Sequence, residues 1–160
     1  MLNINVISVG KLKEGYLRDA CAEYIKRLGA YSKVKVTELS ESRLSDNPSE
    51  KEIASALENE AKAIMAAVPK DSAVIAMCIE GRQMSSENFA ARLNKFAVDG
   101  KSSVSLIIGS SFGLSDTVKN AAALRLSMSE MTFPHQLARV MLLEQLYRAM
   151  SILNNGKYHK

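Results

Sequence analysis

Residues 72–79, Ser-Ala-Val-Ile-Ala-Met-Cys-Ile, form a nearly unbroken apolar run, and Gly81 follows closely. Such a run predicts a central strand covered on both faces, ended by the glycine. A strand of that kind needs helices above and below it, and the rest of the chain supplies them. Residues 2–9 alternate and carry the β-branched Ile4, Val6, Ile7 and Val9, which predicts a first strand ending at Gly10. Residues 15–29 place Leu17, Cys21, Tyr24, Ile25 and Leu28 on one helical face, with Gly29 as the stop. Residues 33–39 alternate again as a second strand, and residues 40–49 are a polar loop. Ser49 followed by Glu52 is a capping box for a long helix whose buried stripe is Ile53, Leu57, Ala61, Ile64, Met65 and Val68.

Beyond the central run, a helix starting at Ser85 or Ser86 buries Phe89, Leu93 and Phe96, and residues 104–108 form another strand. A helix over 115–122, a short strand over 124–128 and a final helix from Pro134 to Leu153 complete the pattern, with Pro134 in that helix's first turn. Strands alternating with helices through short loops predict an α/β fold, a parallel sheet with helices on both faces. With no repeat, linker or low-complexity tract, residues 1–160 are read as one domain. In the final helix Leu137, Val140, Met141, Leu142, Leu143, Leu146, Met150 and Leu153 spread too widely for one core-facing stripe. The surplus predicts a covering partner, and a symmetric homodimer is the commonest way to provide one.

Charge is unevenly placed. The net charge is +4, but residues 1–35 hold seven Lys/Arg against three acids, and residues 131–160 hold four against one (Glu144). Two basic ends point to a polyanionic partner if the fold joins them. Cys21 and Cys78 are too few for a disulfide framework and lack metal-site spacing, so both are expected as buried, reduced thiols, with no metal. No signal peptide or membrane-length apolar stretch is present, which predicts a cytoplasmic protein.

Gly109-Ser110-Ser111-Phe112-Gly113 matches G-x-S-x-G and lies between a strand and a helix, as a hydrolase nucleophile elbow would. That fold needs several further strands after the elbow, and only one short strand remains. The turn is better read as glycines that let the backbone approach a ligand closely. Neither a dinucleotide nor a P-loop fingerprint is present. A ligand with an adenosine and no phosphate suits that absence, and S-adenosylmethionine is one. His135, at a helix start, is a candidate base, RNA contact or capping side chain. In the tail Tyr158 is suited to stack on a base, and Lys157 and Lys160 to meet phosphate, beside His159.

Taken together, Ile107-Ile108-Gly109, Ser129-Glu130-Met131-Thr132-Phe133-Pro134-His135-Gln136, Arg139-Val140, Glu144-Gln145-Leu146-Tyr147-Arg148-Ala149 and the closing Tyr158-His159-Lys160 resemble one family over the full length. It is the bacterial ribosomal RNA large-subunit methyltransferase H family, a compact branch of the SPOUT methyltransferases. The resemblance implies a carboxyl-terminal trefoil knot, a homodimer and S-adenosylmethionine bound in the knot. It also implies methylation of N3 of a pseudouridine in helix 69 of 23S rRNA on assembled ribosomes. Carried onto this chain, it places the methyl donor against Met77, Gly109, Met128, Ser129, Glu130, Met131, Thr132 and Phe133. His135 and His159 become candidates for taking the N3 proton, with loss to solvent as the alternative, Arg139 or Arg148 for steadying the anion, and Arg148, Lys157, Tyr158, His159 and Lys160 for holding RNA. The alternative is a non-catalytic RNA- or ribosome-binding module of the same fold. Ser110 stands where the family usually has a second glycine, which matters if that position needs positive φ or touches the ligand.

Overall fold

The computed structural model describes residues 2–160. Five strands, β1 (Asn3–Val9), β2 (Val34–Leu39), β3 (Ser72–Arg82), β4 (Ser103–Ile108) and β5 (Leu124–Leu126), alternate with α1 (Gly15–Leu28), α2 (Glu50–Ala67), α3 (Ser86–Val98), α4 (Asp116–Ala121) and α5 (His135–Leu153). The sheet order is β2-β1-β4-β3-β5 and every pairing is parallel. Connections that step toward β2 pass over the face bearing α1 and α3; those that step toward β5 pass over the face bearing α2 and α4. That coupling of direction to face is what a uniform crossover hand requires.

The period-2 alternation of each strand divides two cores. Ile4, Val6, Ile75, Leu106 and Ile108 pack with Leu28, Phe89, Leu93, Leu142 and Leu146 on the α1/α3/α5 side. Ile7, Val9, Val74 and Ile107 pack with Ala61, Ile64 and Val118 on the α2/α4 side. β4 is buried along its whole length, including Ser103 and Ser105. Ser105 Oγ lies 2.7 Å from Ser72 Oγ and 3.5 Å from Asn5 Nδ2, so this buried hydroxyl is not orphaned. The capping box forms as expected, with Glu52 N–H donating to Ser49 Oγ at 3.1 Å and Ser49 N–H to Glu52 Oε1 at 3.3 Å.

Four expectations need correction. β3 does not stop before Gly81 but runs through it to Arg82, pairing with β5 across a bulge. A Cβ at Gly81 would lie 2.8 Å from the backbone carbons of Arg125 and Leu126, so the glycine permits a close strand crossing rather than ending a strand. β5 is only three residues long, because Ser127 already belongs to the loop that follows. Pro134 is the cap of α5 and not a residue of its first turn, since its ψ of 137° is extended. The apolar surplus of α5 is largely absorbed within one chain. The helix lies between α1 and α3 above the sheet, and Leu142, Leu143 and Leu146 are fully buried. Half-exposed Val140 and Met141 and the 39% exposed Leu137 remain on its outer side. Among the described residues no helix is long and apolar enough to cross a membrane.

Candidate functional site

Ligands of open parallel sheets bind beyond the carboxyl ends of the strands, where connections part in opposite directions. At the carboxyl ends of β3 and β4 this chain has a cleft of about 680 Å³, bounded by the end of β3, the 109–114 turn, and residues 126–135 before and at the start of α5. That volume is in the range of small-molecule sites.

The turn is held by Gly113 N–H donating to Ser110 O at 2.8 Å, and Gly113 takes φ +88°. Gly109 is required for space: a Cβ there would sit 2.3 Å from Gly113 O and 2.9 Å from Leu114 Cδ2. Ser110 needs no positive φ, since among the described residues only Asp71 and Asn155 adopt one without being glycine. Its hydroxyl donates to Glu60 Oε1 at 3.3 Å, and Glu60 Oε2 accepts Ser42 N–H at 2.8 Å. The serine in place of a second glycine therefore ties the turn to α2 and the β2–α2 loop. Glu60 is 6% exposed. Glu60→Ala would leave both donors without that acceptor and is expected to cost about 1–3 kcal/mol of stability, measured by denaturant unfolding.

The opposite wall is a loop braced from within. Ser127 N–H donates to Arg82 O at 3.0 Å, Ser127 Oγ to Ser129 O at 3.0 Å, and Met131 N–H to Ser129 Oγ at 3.0 Å. Met77, Gly109, Met128, Ser129, Met131, Thr132, Phe133 and His135 all line the cleft. Glu130 does not; its side chain is exposed outside the lining. Residues the sequence reading passed over join it. Phe112, 46% exposed, joins the expected Met131, 74% exposed, in putting apolar surface at the mouth. Cys78 is half-buried on the wall rather than in the core, and burial, seconded by Glu80, pushes its thiol up. Glu80 pairs with Lys119, whose hydrogen bond holds the carboxyl below its ordinary value despite some burial. The sequence did offer a signal for Cys78 and Ile79, as the last residues of a strand whose carboxyl end faces a ligand.

His135 is the only one of the three candidate catalytic side chains brought to the cleft. Arg139 lies one turn further along α5, is 2% exposed and points into the fold. Its Nη1 meets Glu38 Oε2 at 2.6 Å, and its Nη2 donates to Ser8 Oγ at 2.9 Å and Gly10 O at 3.2 Å. It clamps α5 to the ends of β1 and β2. His159 is docked far along α5, with Nε2 2.7 Å from Glu87 Oε1 and Nδ1 3.2 Å from Arg148 Nη1. A carboxylate on one side and a guanidinium on the other assign the proton to Nε2 and use the Nδ1 lone pair. Arg148 in turn donates to Glu144 at 2.7 Å and lies 4.7 Å from the Tyr158 ring centroid. Tyr158 also meets the Tyr147 ring edge-on at 4.7 Å. The tail is thus folded onto α3 and α5, and Lys157, Tyr158, His159 and Lys160 are all absent from the cleft lining. On the far side of the 127–134 loop lies a second cleft, about 520 Å³, lined in part by Tyr24, Met84, Val140, Met141 and Glu144.

A family model described as "Predicted SPOUT methyltransferase" matches residues 2–159. The "Ribosomal RNA large subunit methyltransferase H" of Bacillus thuringiensis (strain Al Hakam) is 49% identical over 159 residues, covering 99% of this chain and 100% of its own. A protein of the same description from Bacillus anthracis matches with the same identity and coverage, 49%, 99% and 100%. The solved structure described as "Probable Methyltransferase from Bordetella pertussis Tohama I" superposes with a TM-score of 0.56 at 14% identity, covering 93% of this chain and 95% of that one. At that identity the likeness is one of fold.

Proposed function

Since this chain belongs to the SPOUT methyltransferase family, we propose that it transfers the methyl group of S-adenosylmethionine to N3 of a pseudouridine in helix 69 of 23S rRNA. The match over 99% of the chain to proteins described as ribosomal RNA large subunit methyltransferases carries this reading. SPOUT methyltransferases use S-adenosylmethionine. The cleft suits it: backbone groups at 109–113 and 127–133, apolar Met77, Leu126 and Phe112, and no phosphate cradle to go unused.

When bound, the cofactor supplies an electrophilic methyl on a sulfonium. For N3 to accept that methyl, its proton would have to leave and free the lone pair. Most of the acceleration comes from holding nucleophile and methyl in line. His135, which lines the cleft at the start of α5, takes the N3 proton in this reading, with loss to solvent as the alternative route. Arg139 acts indirectly by holding the helix that carries it. Calorimetry with S-adenosylmethionine is expected to show one site per chain. No binding at millimolar ligand would leave the non-catalytic ribosome-binding module.

The finer features of the family belong to the same proposal. The chain after β5 threads to form a trefoil knot, a reading supported by the close backbone approach of β3 and β5 at Gly81. Two chains pair through the outer side of α5 and the neighbouring cleft, where Tyr24, Leu137, Val140 and Met141 are left half-covered or exposed. Pairing of this kind brings one subunit's Arg148, Lys157, Tyr158, His159 and Lys160 toward RNA at the other's cofactor site. A Val140→Glu/Met141→Glu variant is expected to halve the mass measured by light scattering. Leu143 and Leu146, buried within one chain, are unsuitable for that test because charge there would unfold it.

A further inference from the structure

The β1–α1 loop is held more firmly than a surface connection requires. Gly10 N–H donates to Leu39 O at 2.8 Å, Leu12 N–H to Glu38 Oε2 at 3.4 Å, and Lys13 N–H to Gln136 Oε1 at 3.0 Å. The Arg18 guanidinium spans the loop, donating to Leu12 O at 3.1 Å and Lys13 O at 3.0 Å. Among the described residues its outward side chains nevertheless make no hydrogen bond, and Lys11 acts only at a distance on Glu38. Among the described residues Lys11 and Lys13 make no ion pair and are exposed, and Tyr16 in the first turn of α1 is 71% exposed.

The loop also lies at the rim of the cofactor cleft. Lys13 is bonded to Gln136, and a Cβ on Gly10 would lie 3.7 Å from Nε2 of His135, which lines the cleft. Of the nearby carboxylates, Glu38 is engaged by Arg139; Glu14, Asp19 and Glu41 remain, against Lys11, Lys13 and Arg18. We propose that Lys11, Lys13 and Tyr16 form an RNA-contact surface beside the methylation site, the lysines meeting backbone phosphates and Tyr16 stacking on an unpaired base. The inference rests on the methyltransferase reading and identifies where the substrate's backbone lies. Cations interleaved with an exposed aromatic are what single-stranded RNA recognition uses. A backbone already ordered before binding spares the complex that entropy.

The test uses full-length protein and ribosomes from cells lacking it. Binding is measured across a salt series for wild type, Lys11→Ala/Lys13→Ala and Tyr16→Ala, with cofactor affinity and mass recorded for each. Loss of two phosphate contacts is expected to lower the log–log salt slope by about 1.5. Loss of the stacking ring should weaken binding by roughly tenfold. Cofactor affinity and mass should not change, and Lys51→Ala/Lys62→Ala on α2 should match wild type. An unaltered slope in the double variant, while wild type still methylates the ribosomes, would overturn this surface alone. A halved mass would overturn it in favour of a subunit contact. Wild type that transfers no methyl to the ribosomes would remove the parent reading and this one with it.

Discussion

Gly109→Ala is expected to weaken S-adenosylmethionine binding by about 10- to 100-fold, because a turn forced open loses backbone hydrogen bonds to the ligand that cost about 1–3 kcal/mol when left unmade. Gly109 and Gly113 bound the same turn but need glycine for different reasons. Gly113 sits at φ +88° with nothing within 4 Å of a Cβ, so alanine there meets only the backbone penalty of about 1–2 kcal/mol. At Gly109 the obstacle is the Gly113 carbonyl at 2.3 Å, which is backbone and cannot rotate away as a flexible side chain does. The turn itself must open, moving the peptide groups that face the cleft. Gly15→Ala is the matched control, since its Cβ would meet only Arg18 Nη2 at 3.7 Å. Calorimetry, with circular dichroism to confirm folding, decides the matter. Wild-type affinity in a folded Gly109→Ala protein would show that the cofactor binds elsewhere.

The layout of the fold was legible because it rests on short-range patterns. Alternation in residues 2–9, the apolar run at 72–79 and the serine caps each follow from local chemistry, and each reappears as an element. What escaped reading depends on partners distant in sequence. Gly81 has the local signature of a strand end, and only the approach of Arg125 and Leu126 shows why the strand continues. The apolar spread of α5 is the same whether two helices of one chain or a second chain covers it; α1 and α3 cover most of it here. Arg139, a cation set among the apolar residues of α5, reads as a ligand contact until Glu38, 101 residues earlier, proves to hold it. At the site, the glycine turn and the 128–133 loop were legible as motif. The Glu60–Ser110 bond was not, since nothing near either residue signals the other.

Arg139→Ala is expected to destabilise the protein by about 3 kcal/mol, the low end of the range for breaking a buried ion pair. The low end applies because Glu38 keeps 35% of its side chain exposed, so water takes up part of what the guanidinium gave. Ser8 Oγ and Gly10 O lose a donor at the same time. The loss should depend on pH. Burial pushes the Glu38 carboxyl up, but the hydrogen bond and charge of Arg139, helped by Leu12 N–H and Lys11, outweigh it and hold the carboxyl below its ordinary value. A depressed carboxyl contributes stability above the unfolded-state pKa of about 4.3 and loses it as pH falls through the lower folded value. The gap between wild type and variant should therefore be constant above about pH 5 and narrow in more acidic solution. Arg139→Lys keeps a cation but not the fork that reaches Glu38, Ser8 and Gly10 together, and should fall between the two. Denaturant unfolding at a series of pH values reads all three proteins. A gap as wide at pH 3 as at pH 7 would mean that the arginine contributes through packing of its stem, because protonating its carboxylate partner would then have cost nothing.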